Sequence, residues 1–193
     1  MEQDIHFIGI SGSLRKGSYN TSLLNAAAGL LPEGVRMEIV SIADLPHYNA
    51  DMDLPSAVDR PESVNKFRDA MAKADGILFA SPEYNYSIPG ALKNAIDWAS
   101  RGEDSPMLRK PVAVIGATPG LWGTARMQLG FLAVFQYLDM KPVLKPEVLV
   151  NQANKKFDEF GKLTDQTSID ILRKKLEALK TLCKDQKLLS AKA

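Results

Sequence analysis

The sequence is poor in the residues that most often carry metal, disulfide or acid–base chemistry, because its 193 residues include one cysteine and two histidines. A single thiol, Cys183, cannot form an intrachain disulfide, and such a composition is typical of a reducing compartment. His6 and His47 are far apart in the sequence, and no cluster of cysteine and histidine indicates a metal site. We therefore predict no metal, and Cys183, in its helical leucine pattern, is interpreted as a core residue.

Strong net charge and long apolar runs are also missing. The net charge is +1, which gives no general attraction to nucleic acid or to an anionic membrane. No apolar run approaches the length of about 18–20 residues that crosses a bilayer, and the first four residues are too polar for a signal peptide. We therefore expect a cytoplasmic protein without nucleic-acid or membrane partners.

The sequence does contain a regular alternation of short apolar strands and amphipathic helices. Strands are predicted at 5–10, 36–42, 76–81, 112–117 and 142–150, and helices at 20–31, 61–73, 91–99, 124–138 and 165–184. This alternation predicts an α/β fold with a parallel sheet covered on both faces. Five strands fit a flavodoxin-like three-layer sandwich with strand order 2-1-3-4-5, in which ligands bind where the loops after strands one, three and four meet. No linker interrupts the pattern, so residues 1–193 are interpreted as a single domain.

Two segments have a less specific pattern. The stretch 44–61 is long and irregular, and the sequence leaves open whether it is a lid over a site or a surface excursion. The last helix carries lysines that are interpreted as a solvated face, namely Lys174, Lys175, Lys180 and Lys184.

The loop after the first strand has the composition of an anion-binding turn. It places glycines, hydroxyl groups and Arg15 between a buried strand and a helix, so backbone N–H groups and the positive helix end face one spot. Arg15 can bind two phosphate oxygens, and Asn20 is predicted to be the helix N-cap. The loop does not match GxxxxGK[ST], because Ser18 stands where the lysine belongs, and its glycine spacing is not GxGxxG. ATP hydrolysis and ordinary dinucleotide binding are disfavoured, and a plain turn rich in small residues stays the alternative.

The loops after strands three and four suit a flat ring. Tyr84 and Tyr86 lie within three residues in a segment bounded by prolines, and aromatic side chains of this kind stack on planar groups or simply pack in a core. Gly120, after the fourth strand, leaves space for a ring edge. A phosphate at one end of a site and a planar heterocycle at the other describe FMN.

The residues of the first and third loops carry a resemblance to a known family. The motifs GSLRKGS at 12–18, followed by Asn20, and PEYNYSIPGALKNAIDW at 82–98 resemble the NADPH-dependent FMN reductase family. Within that family the chain is most similar to the bacterial quinone and chromate reductase branch, over about residues 5–150. The resemblance implies a tightly held, non-covalent FMN, with NADPH or NADH as co-substrate.

The resemblance also implies roles for individual residues. Those expected to bind the FMN phosphate are Ser11, Ser13, Arg15, Asn20, Ser18 and Thr21. Those expected around the isoalloxazine ring are Pro82, Glu83, Tyr84, Asn85, Tyr86, Thr118 and Gly120. Tyr84, Tyr86 and Trp122 are expected to form the walls of the substrate site. The family forms homodimers and this branch homotetramers, and Arg126 and Glu147 match positions in an inter-subunit network of the branch.

The implied reaction is a ping-pong hydride transfer from NAD(P)H to flavin N5, followed by reduction of quinones, with chromate or other small-molecule acceptors as further candidates. The cofactor carries the chemistry, so no catalytic acid or base is required. Two alternatives stay open: a flavodoxin-type electron carrier, which is typically far more acidic, and a flavin-binding sensor without NAD(P)H turnover.

Overall fold

A parallel sheet forms the centre of the structure, a computed structural model that describes residues 4–53 and 60–191. Strands β1 (Ile5–Ser11), β2 (Val35–Val40), β3 (Gly76–Ala80) and β4 (Pro111–Ala117) pair in the order β2-β1-β3-β4. The edge beside β4 is completed by two short strands, β5 (Lys141–Pro142) and β6 (Val148–Val150). The predicted parallel order is therefore confirmed, with the fifth strand in two segments.

In the described residues, five α-helices cover the two faces of this sheet: α1 (Tyr19–Ala28), α2 (Glu62–Lys73), α3 (Gly90–Ser100), α4 (Ala125–Tyr137) and α5 (Gln166–Ser190). Alternate strand residues point to opposite faces. Phe7 and Leu78 therefore pack with α1 and α5, whereas Ile8 and Phe79 pack with α2, α3 and α4. Both faces are buried, which explains why β3 and β4 are apolar without interruption. The architecture is the predicted flavodoxin-like sandwich.

One of the lysines that the sequence predicts on the solvated face of the last helix is buried in the structure. Lys175 is 1% exposed, and its Nζ donates to the backbone oxygen of Val143, 2.5 Å away, in the segment between β5 and β6. The prediction of a solvated face is thus wrong for Lys175, because it lies three residues after Leu172 and four before Leu179 on the buried side. Burial lowers the pKa of Lys175 to about 8.

The described part of the 44–61 segment is fixed to α3. The backbone oxygen of Pro46 accepts hydrogen bonds from Trp98 Nε1 at 2.7 Å and from Asn94 Nδ2 at 2.8 Å. Further along, Arg60 contacts Asp104 at 2.9 Å, and this contact is the main reason why the pKa of Asp104 falls to about 2. Residues 54–59 lie outside the described ranges.

The structure was also searched for helices that could span a membrane. Within the two described ranges, no helix combines the length and the apolar character that crossing a bilayer requires.

Candidate functional site

Three loops meet at the carboxyl ends of β1, β3 and β4, as the strand order requires. Segment 12–18 follows β1, segment 81–89 follows β3 and segment 118–124 follows β4. The first of these segments is joined directly to the end of β3, since the Gly12 N–H donates to the backbone oxygen of Ala80 at 2.8 Å. Glycine is needed at this junction because a Cβ on Gly12 would lie 2.8 Å from Leu92 Cδ2 and 2.9 Å from Ser81 Oγ.

The first loop is lined with hydroxyl groups that bond to one another and to the backbone. Ser11 Oγ lies 2.8 Å from Thr21 Oγ1, and the Ser13 N–H donates to Ser11 Oγ at 3.3 Å. The Arg15 N–H donates in turn to Ser13 Oγ at 3.4 Å, while the Arg15 side chain is exposed. The loop thus presents hydroxyls and a cation at the N-terminus of α1, where an anion is favoured.

Asn20 has a different role from the one predicted. The N-cap of α1 is Ser18, whose Oγ accepts from the N–H groups of Asn20 and Thr21, so the N-cap prediction for Asn20 is wrong. The Asn20 amide is buried and makes two bonds to Ala117 at the end of β4, from Nδ2 to the backbone oxygen at 2.9 Å and from the backbone N–H to Oδ1 at 2.8 Å. Asn20 therefore fixes the first loop against the fourth.

The third loop is a tight hairpin. Tyr84 and Ser87 pair through two backbone bonds of 3.2 and 2.9 Å, and the two residues between them have positive φ, 51° for Asn85 and 62° for Tyr86. This is the backbone of a two-residue hairpin turn, and it is unfavourable for a tyrosine. The turn holds the Tyr86 ring outward, 67% exposed.

Glu83 connects this hairpin to α4. Its Oε2 accepts from the N–H groups of Arg126 at 3.0 Å and Met127 at 3.1 Å. Its Oε1 lies 3.6 Å from Arg126 Nη1. The Arg126 guanidinium carbon is 4.1 Å from the centre of the Tyr86 ring and 5.8 Å from that of Trp122. Glu83 thus caps the helix from outside, and Arg126 is held by a carboxylate and an aromatic ring.

The fourth loop is fixed at both ends. Thr118 donates its N–H to the backbone oxygen of Val150 at 2.9 Å, and the Gly120 N–H donates to Thr118 Oγ1 at 3.3 Å. Gly123 has φ 64°, and a Cβ there would lie 2.9 Å from Leu149 Cβ, so only glycine fits. These constraints leave Trp122 projecting from the loop with 72% of its surface exposed.

Most of the predicted site residues surround two adjoining cavities. The first, of about 200 Å³, is lined by Ser13, Arg15, Ser18, Tyr19, Asn20, Pro82, Glu83, Tyr84, Ala117, Thr118 and Pro119. The second, of about 530 Å³, is lined by Glu83, Asn85 and Tyr86. Glu83 borders both cavities, and no histidine is among these lining residues.

A few residues fall outside this pattern. Tyr19, Ala117 and Pro119 line the first cavity but are not among the predicted residues, although each adjoins a predicted residue in sequence. Ser11 and Thr21 bond to each other, and neither they nor Gly120 line these cavities. Glu147 lies at the sheet edge in a separate cleft that it shares with Leu129 and Lys175.

Comparison with known proteins agrees with this geometry. Residues 5–155 match the model of the NADPH-dependent FMN reductase family. The chain is 45% identical to an NAD(P)H-dependent FMN reductase of Pseudomonas aeruginosa, with 93% of this chain and 95% of the relative covered. It is 36% identical to a quinone reductase of Escherichia coli K12, with 92% and 95% covered.

A solved structure has the same fold. FerB, a flavoenzyme NAD(P)H:(acceptor) oxidoreductase from Paracoccus denitrificans, superimposes with a TM-score of 0.84 at 32% identity, covering 94% of this chain and 98% of that one. The family model covers the chain from β1 through β6, and the two relatives and FerB each cover more than nine-tenths of it. The chain belongs to the NADPH-dependent FMN reductase family.

Proposed function

We propose that the protein is an FMN-dependent NAD(P)H oxidoreductase that reduces quinones. The observation that carries this proposal is that an anion-binding loop and an aromatic hairpin share one cavity edge at the carboxyl ends of the strands. Flavodoxin-like folds bind ligands at this position. The relatives named as FMN and quinone reductases match the chain over more than 90% of its length, which supports the same activity here.

The first loop would hold the FMN phosphate. Arg15, Ser13 and Ser18 line the small cavity at the N-terminus of α1, where side-chain donors and the helix end together favour an anion. Ser11 and Thr21 bond to each other and would support the loop from outside the cavity lining. Asn20 would act mainly by holding the first and fourth loops at a fixed separation, since its amide atoms are bound to Ala117.

The third and fourth loops would hold the ring system. The cavity that holds the phosphate-binding residues is also lined by Pro82, Tyr84 and Thr118. Asn85 lines the second cavity, and the Gly120 N–H is bonded to Thr118. When bound, FMN supplies the hydride and electron chemistry that joins NAD(P)H oxidation to quinone reduction. The chain positions the reactants and needs no acid–base residue of its own.

The open side of the site would be shared by NAD(P)H and the acceptor in turn. Tyr86 and Trp122 are both largely exposed at this side, and flat substrates stack on such rings. Because one opening serves both substrates, we expect ping-pong kinetics. Chromate and other small-molecule acceptors remain candidates beside quinones.

We also propose that the chain self-associates as a homodimer or homotetramer. Leu121, Leu129 and Tyr137 are large apolar residues exposed on α4 and the loop before it, and exposed apolar surface is typical of an interaction site. Arg126 and Glu147 are the charged candidates at this surface. The cytoplasm is the proposed compartment, because Cys183 is the single cysteine of the chain.

A spectrum tests the enzymatic proposal. The purified protein should show the two visible bands of oxidised flavin, which should bleach on anaerobic addition of NADPH and return when benzoquinone is added. Bands that persist in NADPH would favour an electron carrier or a sensor. A protein that holds no flavin, and takes up none from added FMN, would contradict the proposal.

A further inference from the structure

The carboxylate of Glu83 is hydrogen-bonded to the start of α4 and is largely shielded from solvent. Its side chain is 11% exposed, and one oxygen accepts the N–H groups of both Arg126 and Met127. The N-terminus of a helix stabilises a negative charge in this position. Glu83 is therefore fixed in place, at the border of both cavities of the site.

Arg126 is the opposite charge at the same place. Its Nη1 is 3.6 Å from Glu83 Oε1, and its guanidinium carbon is 4.1 Å above the Tyr86 ring. The guanidinium therefore lies directly against a proposed wall of the acceptor site. An arginine so placed would attract anionic acceptors if its charge were not compensated.

Among the residues that the structure describes, the charged side chains that line these two cavities are Glu83 and Arg15, and Arg126 lies beside them over the Tyr86 ring. Arg15 lies at the proposed phosphate end, where the FMN phosphate would neutralise it. The acceptor side therefore has one anion, Glu83, and one cation, Arg126, in contact. Their charges cancel at short range, so an approaching acceptor meets aromatic surface with little net field.

We propose that Glu83 and Arg126 form a charge-compensated pair that keeps the site from favouring anionic acceptors, with Glu83 as the residue that determines this specificity. This inference rests on the proposed function and refines its substrate class: neutral quinones are accepted, and a negative charge on the acceptor gives it no electrostatic advantage. Glu83 acts through Arg126 and through the fixed start of α4, and is a positioning residue.

The test compares two acceptors of the same shape, benzoquinone and its monosulfonate. For each variant, kcat/KM is measured for both acceptors at saturating NADPH, and the ratio of sulfonate to benzoquinone is taken. A ratio within one variant cancels changes in flavin content and in the NADPH half-reaction. Glu83→Gln keeps an oxygen for the two α4 N–H groups but removes the negative charge.

We expect the ratio to rise about 3- to 10-fold in Glu83→Gln at low salt, and this increase to shrink at high salt. Arg126→Gln should lower the ratio, and the double variant should return it towards the wild-type value. The matched control is Glu62→Gln, which makes the same change in net charge at an exposed pair with Lys66 on α2. Its ratio should equal that of the wild type.

Three outcomes overturn the inference, and the third is distinguishable from the first two. A wild-type protein that oxidises NADPH and reduces benzoquinone, with unchanged ratios in both Glu83→Gln and Arg126→Gln, overturns the inference alone. The same conclusion follows if Glu62→Gln raises the ratio as much as Glu83→Gln does. A wild-type protein that reduces neither acceptor overturns the proposed function as well.

Discussion

At the scale of single residues, Arg15 is the side chain on which phosphate binding should depend most. It is exposed at the N-terminus of α1, and a bidentate contact with a phosphate would replace its contact with water. Arg15→Ala should weaken FMN binding about 10- to 100-fold, as measured by flavin fluorescence during titration of the apoprotein. Lys16→Ala removes the same charge from the next residue and should change FMN affinity far less. Equal effects of the two substitutions would mean that Arg15 contributes only a non-specific electrostatic attraction for the phosphate.

Asn20 is the residue that couples two of the loops, and its removal should affect both stability and binding. Asn20→Ala deletes two buried hydrogen bonds and leaves the N–H and oxygen of Ala117 without these partners. The free energy of unfolding should fall by about 2–4 kcal/mol, as measured by urea denaturation of the apoprotein, and FMN affinity should fall as well. Asn25→Ala, at an exposed position on the same helix, is the control. A stable Asn20→Ala protein would show that other contacts hold the loops together.

At the scale of elements, the contact of α5 with the split edge strand should depend on pH. The pKa of Lys175 is lowered from 10.5 to about 8 by burial, so the folded state releases this proton more readily than the unfolded chain. Between pH 8 and 10.5 the unfolded chain binds more protons, and stability therefore rises with pH in this window. Below pH 8 both states carry the charge, and the folded state bears the full cost of burying it.

Lys175→Met removes this titration while keeping an apolar stem. The free energy of unfolding of the wild type, relative to the variant, should increase by about 2–3 kcal/mol between pH 7 and pH 10. Chemical denaturation at the two pH values measures the difference, and Lys174→Met, at the exposed neighbour, should show no such change. A pH-independent difference for Lys175→Met would mean that the amine is neutral or solvated in both states.

The elements themselves could largely be predicted from the sequence, because apolar strand runs and helical spacing are local signals. The burial of Lys175 could not be predicted, because a lysine is expected at the surface unless a buried acceptor, here the backbone oxygen of Val143, is known to lie beside it. The gap between β5 and β6 has the same cause. It depends on contacts of the edge strand with α4 and α5, which no local pattern reports.

At the scale of the whole molecule, the strand order explains why the site was largely predictable. Three loops with distinctive composition follow strands that must end at one sheet edge, so Arg15, Tyr84 and Thr118 were expected to meet, and they line one cavity. The hydrogen bonds of the Asn20 and Glu83 side chains could not be predicted in this way, because each side chain bonds to a residue far away in sequence. Sequence composition identifies such residues as members of the site but does not show what each one contacts.

The proposed self-association is also a property of the whole molecule, and it can be tested at one position. Leu129 is 65% exposed on α4 and shares a surface cleft with Glu147. Leu129→Glu would place a charge in the contact of two copies, where burial without a partner is costly. Sedimentation velocity at micromolar protein should show a shift to the monomer, with flavin content retained. Leu188→Glu makes the same change at an exposed position of α5 and should leave the assembly intact. An unchanged assembly in Leu129→Glu would exclude the α4 face around Leu129 as the contact.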